Sequence, residues 1–136
     1  MKFNAMPFLV LLAAGLLLPG AAPAEELAPG YEACMRRAHA VDEEVDCLAA
    51  AEAWWGKQES AALARAKKSC EQSLAPEECR ASLKDAQRRW TSYRDAMSQA
   101  FQDRYAGASQ STVEALRSQI SMSRTRVALL KSFAGE

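Results

Sequence analysis

Four cysteines in a chain that begins like an exported protein limit its fold more than any other feature. They are Cys34, Cys47, Cys70 and Cys79. In an oxidising compartment disulfides are the default interpretation of such an even set, and four cysteines allow three pairings. Helix corners are expected near residues 40–41 and at Pro76, each midway between two consecutive cysteines. Because two helices that leave a tight corner stay close together, we predict the disulfides Cys34–Cys47 and Cys70–Cys79.

The first residues have the pattern of a secretion signal. Lys2 supplies a positive charge, Phe8 to Leu18 is an almost unbroken apolar run, and Ala22 to Ala24 provides the small residues that a signal peptidase reads. We predict that residues 1–24 are a signal peptide and that residues 25–136 form one domain, located in the periplasm or secreted. The apolar run is shorter than the roughly 20 residues that cross a bilayer, so cleavage is favoured over an uncleaved anchor. No stable membrane anchor is expected after cleavage.

Patterns for metal binding, catalysis and nucleic-acid binding are missing from the sequence. Neither cysteine spacing resembles the C-x-x-C pairs of zinc sites, and we expect no metal and no cofactor. His39 is the single histidine, and no serine is marked as a nucleophile with a positioned base. The formal net charge is zero, and no basic face for nucleic acid stands out. Glu52 and Glu59 could in principle flank a sugar bond, but we assign them to ion pairing with Arg94. We therefore expect a protein that is not an enzyme.

Apolar residues at spacings of three to four indicate that the rest of the chain is helical. No run of alternating β-branched residues suggests a strand. We predict a short helix over residues 31–40, an Ala-rich helix over 45–73, a third helix that begins at Pro76 and a fourth that begins near Ser111. Small and polar residues over 105–112 separate the last two helices. The expected fold is all-α, a small disulfide-stapled bundle of about four helices with short corners.

Two side chains are expected to cap these helices. Asp42 is placed as the N-cap of the second helix, with Glu43 and Glu44 in its first turn. Ser111 followed by Glu114 has the spacing of a capping box at the start of the fourth helix. Both expectations concern the N–H groups of the first turn, which have no partner inside the helix.

The third helix contains the segment LKDAQRRWTSYRDAM, with an aromatic and polar stripe where an ordinary surface helix would carry Leu or Val. Gln87, Trp90 and Arg94 lie one turn apart on one face, and Asp95 is expected to point away from Arg94. In the interpretation that we favour, Trp90 fills the core and Arg94 pairs with one of the two carboxylates named above. In the alternative, Gln87, Arg94 and Asp95 bind a partner or a glycan.

Trp54 and Trp55 cannot both face the core, since neighbours on a helix diverge by about 100°. One of them is expected at the edge of the core. We favour a role in covering a helix seam over a role as a contact surface, although tryptophan is enriched at interface hot spots. An exposed apolar patch around Trp54 would instead support partner binding.

The third-helix segment also carries a family signature. It resembles the pattern L-x-x-A-Q-x-x-W-x-x-[FY]-R-D of the lysozyme inhibitor LprI-like domain family, small exported bacterial helical proteins. The matching residues are Leu83, Ala86, Gln87, Trp90, Tyr93, Arg94 and Asp95. The upstream stretches YEACM and CLAAAE are similar to the first helix of that family and to the start of its second. The second helix departs from the D-x-x-L-N-x-x-Y pattern that members commonly carry.

The resemblance implies an exported, non-catalytic binding module of the cell envelope. Lysozyme is the partner that the family name suggests, with another envelope protein or a glycan as the other candidates. The alternative is a structural or stress-related periplasmic domain without a small-molecule site. Such a domain is expected to self-associate along Val113, Ile120 and Val127 of the last helix.

Overall fold

The structure is a computed structural model that describes residues 26–106 and 108–136. The predicted signal peptide, residues 1–24, lies outside the described residues. Four α-helices and one short 3-10 turn are present, and neither described range contains a strand. The elements are α1 (Tyr31–Met35), α2 (Val41–Ser69), the 3-10 turn (Cys70–Gln72), α3 (Pro76–Arg104) and α4 (Ser111–Ala134). The predicted all-α fold is confirmed.

The start of α2 differs from the expectation. The helix begins at Val41 instead of residue 45, and its N-cap residue, Ala40, makes no side-chain cap bond. The expected N-cap role of Asp42 is wrong, because Asp42 already lies inside the first turn. Glu43 Oε2 accepts a hydrogen bond from the backbone N–H of His39 at 2.6 Å, which ties the preceding turn to the helix start. The acidic first turn still stabilises the positive end of the helix dipole.

The starts of α3 and α4 give one confirmation and one correction. Pro76 occupies the first helical position of α3, where its missing N–H is not needed, and Glu77 and Glu78 follow in the first turn. α4 begins at Ser111 with Gln110 as its N-cap residue, and no side chain caps it. The predicted capping box is therefore wrong, because Ser111 is already helical and cannot act as the N-cap.

α4 packs against both of the other long helices, most extensively against α2 and also against α3. α2 presents small buried side chains to α4, including Ala51, Ala62 and Ala66, so the two backbones can approach closely. On α4, Ile120 packs in one core cluster with Ala51, and Leu130 packs in a second with Ala62 and Ala66. Each of these two α4 side chains is 1% exposed. Complete burial of such an aliphatic side chain stabilises the fold by about 1.5 to 3 kcal/mol.

This packing removes the self-association seam that was expected on α4. Val113, Ile120 and Val127 are 0%, 1% and 5% exposed, and they pack within the bundle against side chains of α2 such as Leu48 and Ala62. A second copy could reach them only if α4 separated from α2. The seam prediction is wrong, because the apolar stripe of α4 is already covered inside one chain.

Both predicted disulfides are present, and the described residues include no free cysteine. Cys34–Cys47 joins α1 to α2, with Cα atoms 5.7 Å apart. Cys70–Cys79 joins the 3-10 turn to α3, with Cα atoms 5.6 Å apart. α1 ends at Met35, earlier than the predicted residue 40, because the chain turns there so that Cys34 lies against α2.

Loss of either disulfide is expected to lower the free energy of unfolding by about 2 to 3 kcal/mol, because each bond closes a short loop in the unfolded chain. The sequence separations of the bonded cysteines are 13 and 9 residues. The measurement is urea unfolding of two double variants, Cys34→Ala with Cys47→Ala and Cys70→Ala with Cys79→Ala. Losses below about 1 kcal/mol for both variants would contradict the loop-entropy explanation.

Candidate functional site

A buried carboxylate lies where α2, α3 and α4 meet. Glu59 of α2 is 5% exposed. Its Oε1 accepts hydrogen bonds from two α3 side chains, Trp90 Nε1 at 2.9 Å and Gln87 Nε2 at 3.1 Å. Its Oε2 accepts a longer hydrogen bond from Ser123 Oγ of α4 at 3.4 Å. Because burial of an unpartnered carboxylate is strongly unfavourable, these three donors explain how Glu59 is accommodated inside the bundle.

Arg126 of α4 is the cation next to this carboxylate, and it is 8% exposed. Its Nη2 donates a hydrogen bond to Gln87 Oε1 at 3.1 Å, and its guanidinium lies over the ring of Trp90, 5.6 Å from the centroid. Gln87 therefore stands between the two charges, donating to Glu59 and accepting from Arg126. We call Glu59, Gln87, Trp90, Ser123 and Arg126 the polar cluster.

The polar cluster is suited to fixing the three long helices against one another. Each of its members makes a hydrogen bond or a ring contact to a different helix, so the cluster defines the register of α2, α3 and α4 at one level. Both oxygens of Glu59 are occupied by donors of the protein itself, and Glu52 takes part in none of these hydrogen bonds. The arrangement therefore does not have two carboxylates facing a shared space, as glycoside hydrolysis requires.

The predicted ion pair of Arg94 with Glu52 or Glu59 is wrong. Arg94 instead contacts its chain neighbour, with Nη2 at 3.2 Å from Asp95 Oδ1, so the expectation that Asp95 points away is wrong as well. A cation from a different helix is the one that lies next to Glu59. Arg126 of α4 lies over the ring of Trp90 and donates a hydrogen bond to Gln87, which is itself bonded to Glu59.

The last part of the signature lies at the surface. Tyr93 is 54% exposed, and the side chains of Arg94 and Asp95 are 26% and 62% exposed. We call these three residues the Tyr93–Asp95 face. Tyr93 also forms part of the wall of a groove between α3 and α4, about 380 Å³ in volume, together with Met97 and Phe101. The signature thus divides into Gln87 and Trp90, which bond inside the bundle, and three residues that a partner can reach.

Trp54 does not lie in an exposed apolar patch. It packs edge-on against Trp55, with ring centroids 4.8 Å apart, and both rings border a core cluster of α2 and α4. Trp55 Nε1 donates a hydrogen bond to the carbonyl of Leu27 at 2.7 Å, and Arg124 lies over the Trp55 ring. This environment favours the seam-covering role for Trp54. Large apolar side chains that are exposed in the described residues are Leu74, Tyr93, Leu129 and Phe133.

Ser123 and Arg126 are members of the polar cluster that were not predicted from the sequence. Both stand on the apolar stripe of α4, at helical spacing from Ile120, Val127 and Leu130. The sequence signal that could have identified them was a hydroxyl group and a cation at core positions of the helix. Polar residues on a buried stripe require hydrogen-bond partners, so their presence indicates an internal network.

Charged residues on the outer side of α3 form solvated surface pairs. Asp85 accepts hydrogen bonds from Arg89 at 2.7 Å and from Arg88 at 2.6 Å. These hydrogen bonds, with the one from Arg89 as the larger effect, hold the pKa of the Asp85 carboxyl below its ordinary value. Elsewhere, burial raises the pKa of the Tyr31 hydroxyl, and the nearby Arg117 guanidinium opposes that effect.

The described part of the chain contains neither a group of side chains suited to metal binding nor a helix suited to spanning a membrane. Its His, Cys, Asp and Glu side chains form no group of three or more that could hold a metal ion. None of its helices combines the length and the apolar character needed to span a bilayer.

Comparison with known proteins connects this arrangement to a family. The family described as Lysozyme inhibitor LprI matches residues 34–130, from the first cysteine to the last buried leucine of α4. The match covers well over half of the 136 residues and includes both disulfides and the whole third-helix signature. Comparisons with curated proteins and with solved structures give no match. The chain therefore belongs to the lysozyme inhibitor LprI family.

Proposed function

We propose that the mature protein is exported and that it acts without catalysis, by binding a lysozyme in the cell envelope and inhibiting it. The observation that carries this proposal is the family match over residues 34–130. The leader pattern in residues 1–24 supports export to the periplasm or beyond. Because function resides in a site rather than in a fold, a particular contact surface must also be assigned.

We assign the contact surface to the Tyr93–Asp95 face and the groove beside it. Gln87 and Trp90 donate their side-chain hydrogen bonds to Glu59 within the polar cluster, and the last three signature residues remain accessible. Tyrosine and arginine are enriched at interface hot spots, and tyrosine offers a large rigid area of contact. Arg94 contacts Asp95 at the surface, so both a cation and an anion are available to a partner beside the Tyr93 ring.

The inhibition is expected to depend only weakly on salt concentration, because short-range contacts hold the complex. The formal net charge is zero, which gives little long-range attraction for a basic enzyme. The acidic groups Glu43, Glu44, Glu77 and Glu78 stand in first turns of α2 and α3, where they stabilise the helix ends. The check is to measure the inhibition constant at low and at high salt. A large loss of affinity at high salt would show that charge attraction dominates.

The direct experiment is an inhibition assay on purified residues 25–136 with both disulfides oxidised. Lysozymes of several classes are incubated with increasing amounts of the protein, and the lysis of peptidoglycan is followed by turbidity. We expect saturable inhibition of at least one class. An envelope pull-down with the same protein is run in parallel. If a large molar excess inhibits no lysozyme while the pull-down retains another envelope protein or a glycan, the partner assignment is wrong.

Tyr93→Ala is expected to weaken inhibition by about 30-fold, equivalent to about 2 kcal/mol, because it removes the central aromatic contact of the proposed surface. The unfolding free energy should change by less than about 1 kcal/mol, since the ring is half exposed. Leu129→Ala is the matched control, because Leu129 is a similarly exposed apolar residue, 60% exposed, on α4. Weaker inhibition by the Leu129 variant with none lost in the Tyr93 variant would place the surface elsewhere.

A further inference from the structure

A second groove between α3 and α4 lies near the Cys70–Cys79 disulfide, away from the Tyr93–Asp95 face. Its volume is about 330 Å³, which is within the range of small-molecule pockets. We call it the Arg126 groove. Its main wall residues are Leu83, Ala86, Arg126, Leu129, Leu130 and Phe133.

The apolar walls of the Arg126 groove are poorly covered by the rest of the protein. Leu83 and Leu130 form its buried floor, at 7% and 1% exposed. Leu129 and Phe133 form its rim and are 60% and 51% exposed. Exposure of two large apolar side chains to water beside a groove is unfavourable unless a ligand or partner covers them. Such patches commonly mark sites of contact.

Arg126 gives this apolar groove a cationic end. The residue is 8% exposed, and its Nε is buried without a hydrogen-bond partner among the described residues. Its guanidinium forms no ion pair with a carboxylate in that part of the chain, and its side-chain acceptor is the neutral amide of Gln87. Nε has almost no accessible surface, so the part of Arg126 that lines the groove is what a ligand would contact. A buried cation without a carboxylate partner favours an anionic oxygen most strongly.

From the apolar walls and the cationic end together, we infer that the Arg126 groove binds a small amphipathic carboxylate. Its aliphatic chain lies against Leu83, Leu130 and Phe133, and its carboxylate pairs with Arg126. Along α3 the groove extends from Cys79 to Ala86, about 10 Å at the rise of an α-helix, which suits an acyl chain of medium length. The site is separate from the proposed lysozyme contact, so either assignment can fail without the other.

Isothermal titration calorimetry with short fatty acids tests the chemical class of the ligand. Each buried methylene tightens binding about fourfold, so octanoate is expected to bind about fifteenfold more tightly than hexanoate. Octylammonium has the same chain and the opposite charge, and we expect it to bind at least tenfold more weakly than octanoate. Equal affinities for the two octyl compounds, or no binding of octanoate, would overturn the inference.

A filled groove tests the location. Ala86→Trp places an indole in the Arg126 groove, and octanoate affinity is expected to fall at least tenfold. Ala81→Trp is the matched control, because Ala81 is an exposed alanine of the same helix outside the groove wall. Circular dichroism establishes that each variant is folded, and Ser82→Phe provides an independent blocking variant. Unchanged octanoate affinity in a folded blocking variant would overturn the location.

A second copy of the chain is the competing occupant of the groove. Sedimentation velocity of the wild-type protein and of Ala86→Trp separates the two cases. A monomeric wild-type protein over the whole concentration range supports the carboxylate site. A wild-type dimer that Ala86→Trp converts to a monomer would overturn the inference, because protein would then fill the groove.

Discussion

Replacing Glu59 with alanine is expected to lower the free energy of unfolding by about 3 to 5 kcal/mol. The substitution removes the shared acceptor of Trp90 Nε1, Gln87 Nε2 and Ser123 Oγ. It also leaves the buried guanidinium of Arg126 without the carboxylate that Gln87 links to it. Ser123 is 1% exposed, so its hydroxyl group would be left without an acceptor and away from water. Urea unfolding followed by circular dichroism measures the loss.

Two controls distinguish the hydrogen bonds of Glu59 from a general effect of removing a glutamate. Glu52→Ala removes a half-buried carboxylate of the same helix that takes no part in the polar cluster, and a loss below about 1 kcal/mol is expected. Glu59→Gln keeps one acceptor oxygen and replaces the other with a donor, so its loss should be intermediate. Equal losses for the two alanine variants would mean that Glu59 is not the centre of the cluster.

Trp90→Ala is expected to lower the free energy of unfolding by about 3 to 4 kcal/mol. The indole supplies a hydrogen bond to Glu59, the surface beneath Arg126, and a ring contact to Tyr93 with centroids 6.1 Å apart. It is half-buried rather than fully buried, which keeps the loss below the upper end of the range for core aromatics. Trp90→Phe keeps most of the packing and loses the hydrogen bond, so a loss of about 1 to 2 kcal/mol is expected.

Double-mutant cycles identify the residue that Glu59 interacts with. We expect a coupling energy of about 1 to 3 kcal/mol between Glu59→Ala and Trp90→Ala, because the two side chains share a hydrogen bond. Glu59→Ala and Arg94→Ala should be additive within about 0.5 kcal/mol, since Arg94 contacts Asp95 instead. Strong coupling between Glu59 and Arg94, together with additivity for Glu59 and Trp90, would contradict the structure and support the predicted Glu59–Arg94 ion pair.

The sequence by itself determined the helical elements and the disulfide pairing. Helical spacing is a local property, and it predicts which residues of one segment share a face. Pro76 marks a helix start for an equally local reason, since it lacks the N–H that the first turn leaves unpaired. The pairing follows because each disulfide spans a single corner. Cap assignments were less successful: α2 begins at Val41, one residue before the expected N-cap Asp42, and acidic spacing alone does not decide the first helical residue.

The tertiary structure alone decided how the helices are arranged around the signature. The sequence pattern placed Glu59 and Trp90 on inward faces, and their contact agrees with that placement. It also assigned the neighbouring cation to Arg94, because it considered only the residues of α2 and α3. α4 packs against both helices, so Arg126 reaches Trp90 and Gln87 while Arg94 remains near the surface. A hydrogen bond forms only at about 3 Å, and the order and rotation of packed helices, which no single segment encodes, determine which side chains reach that distance.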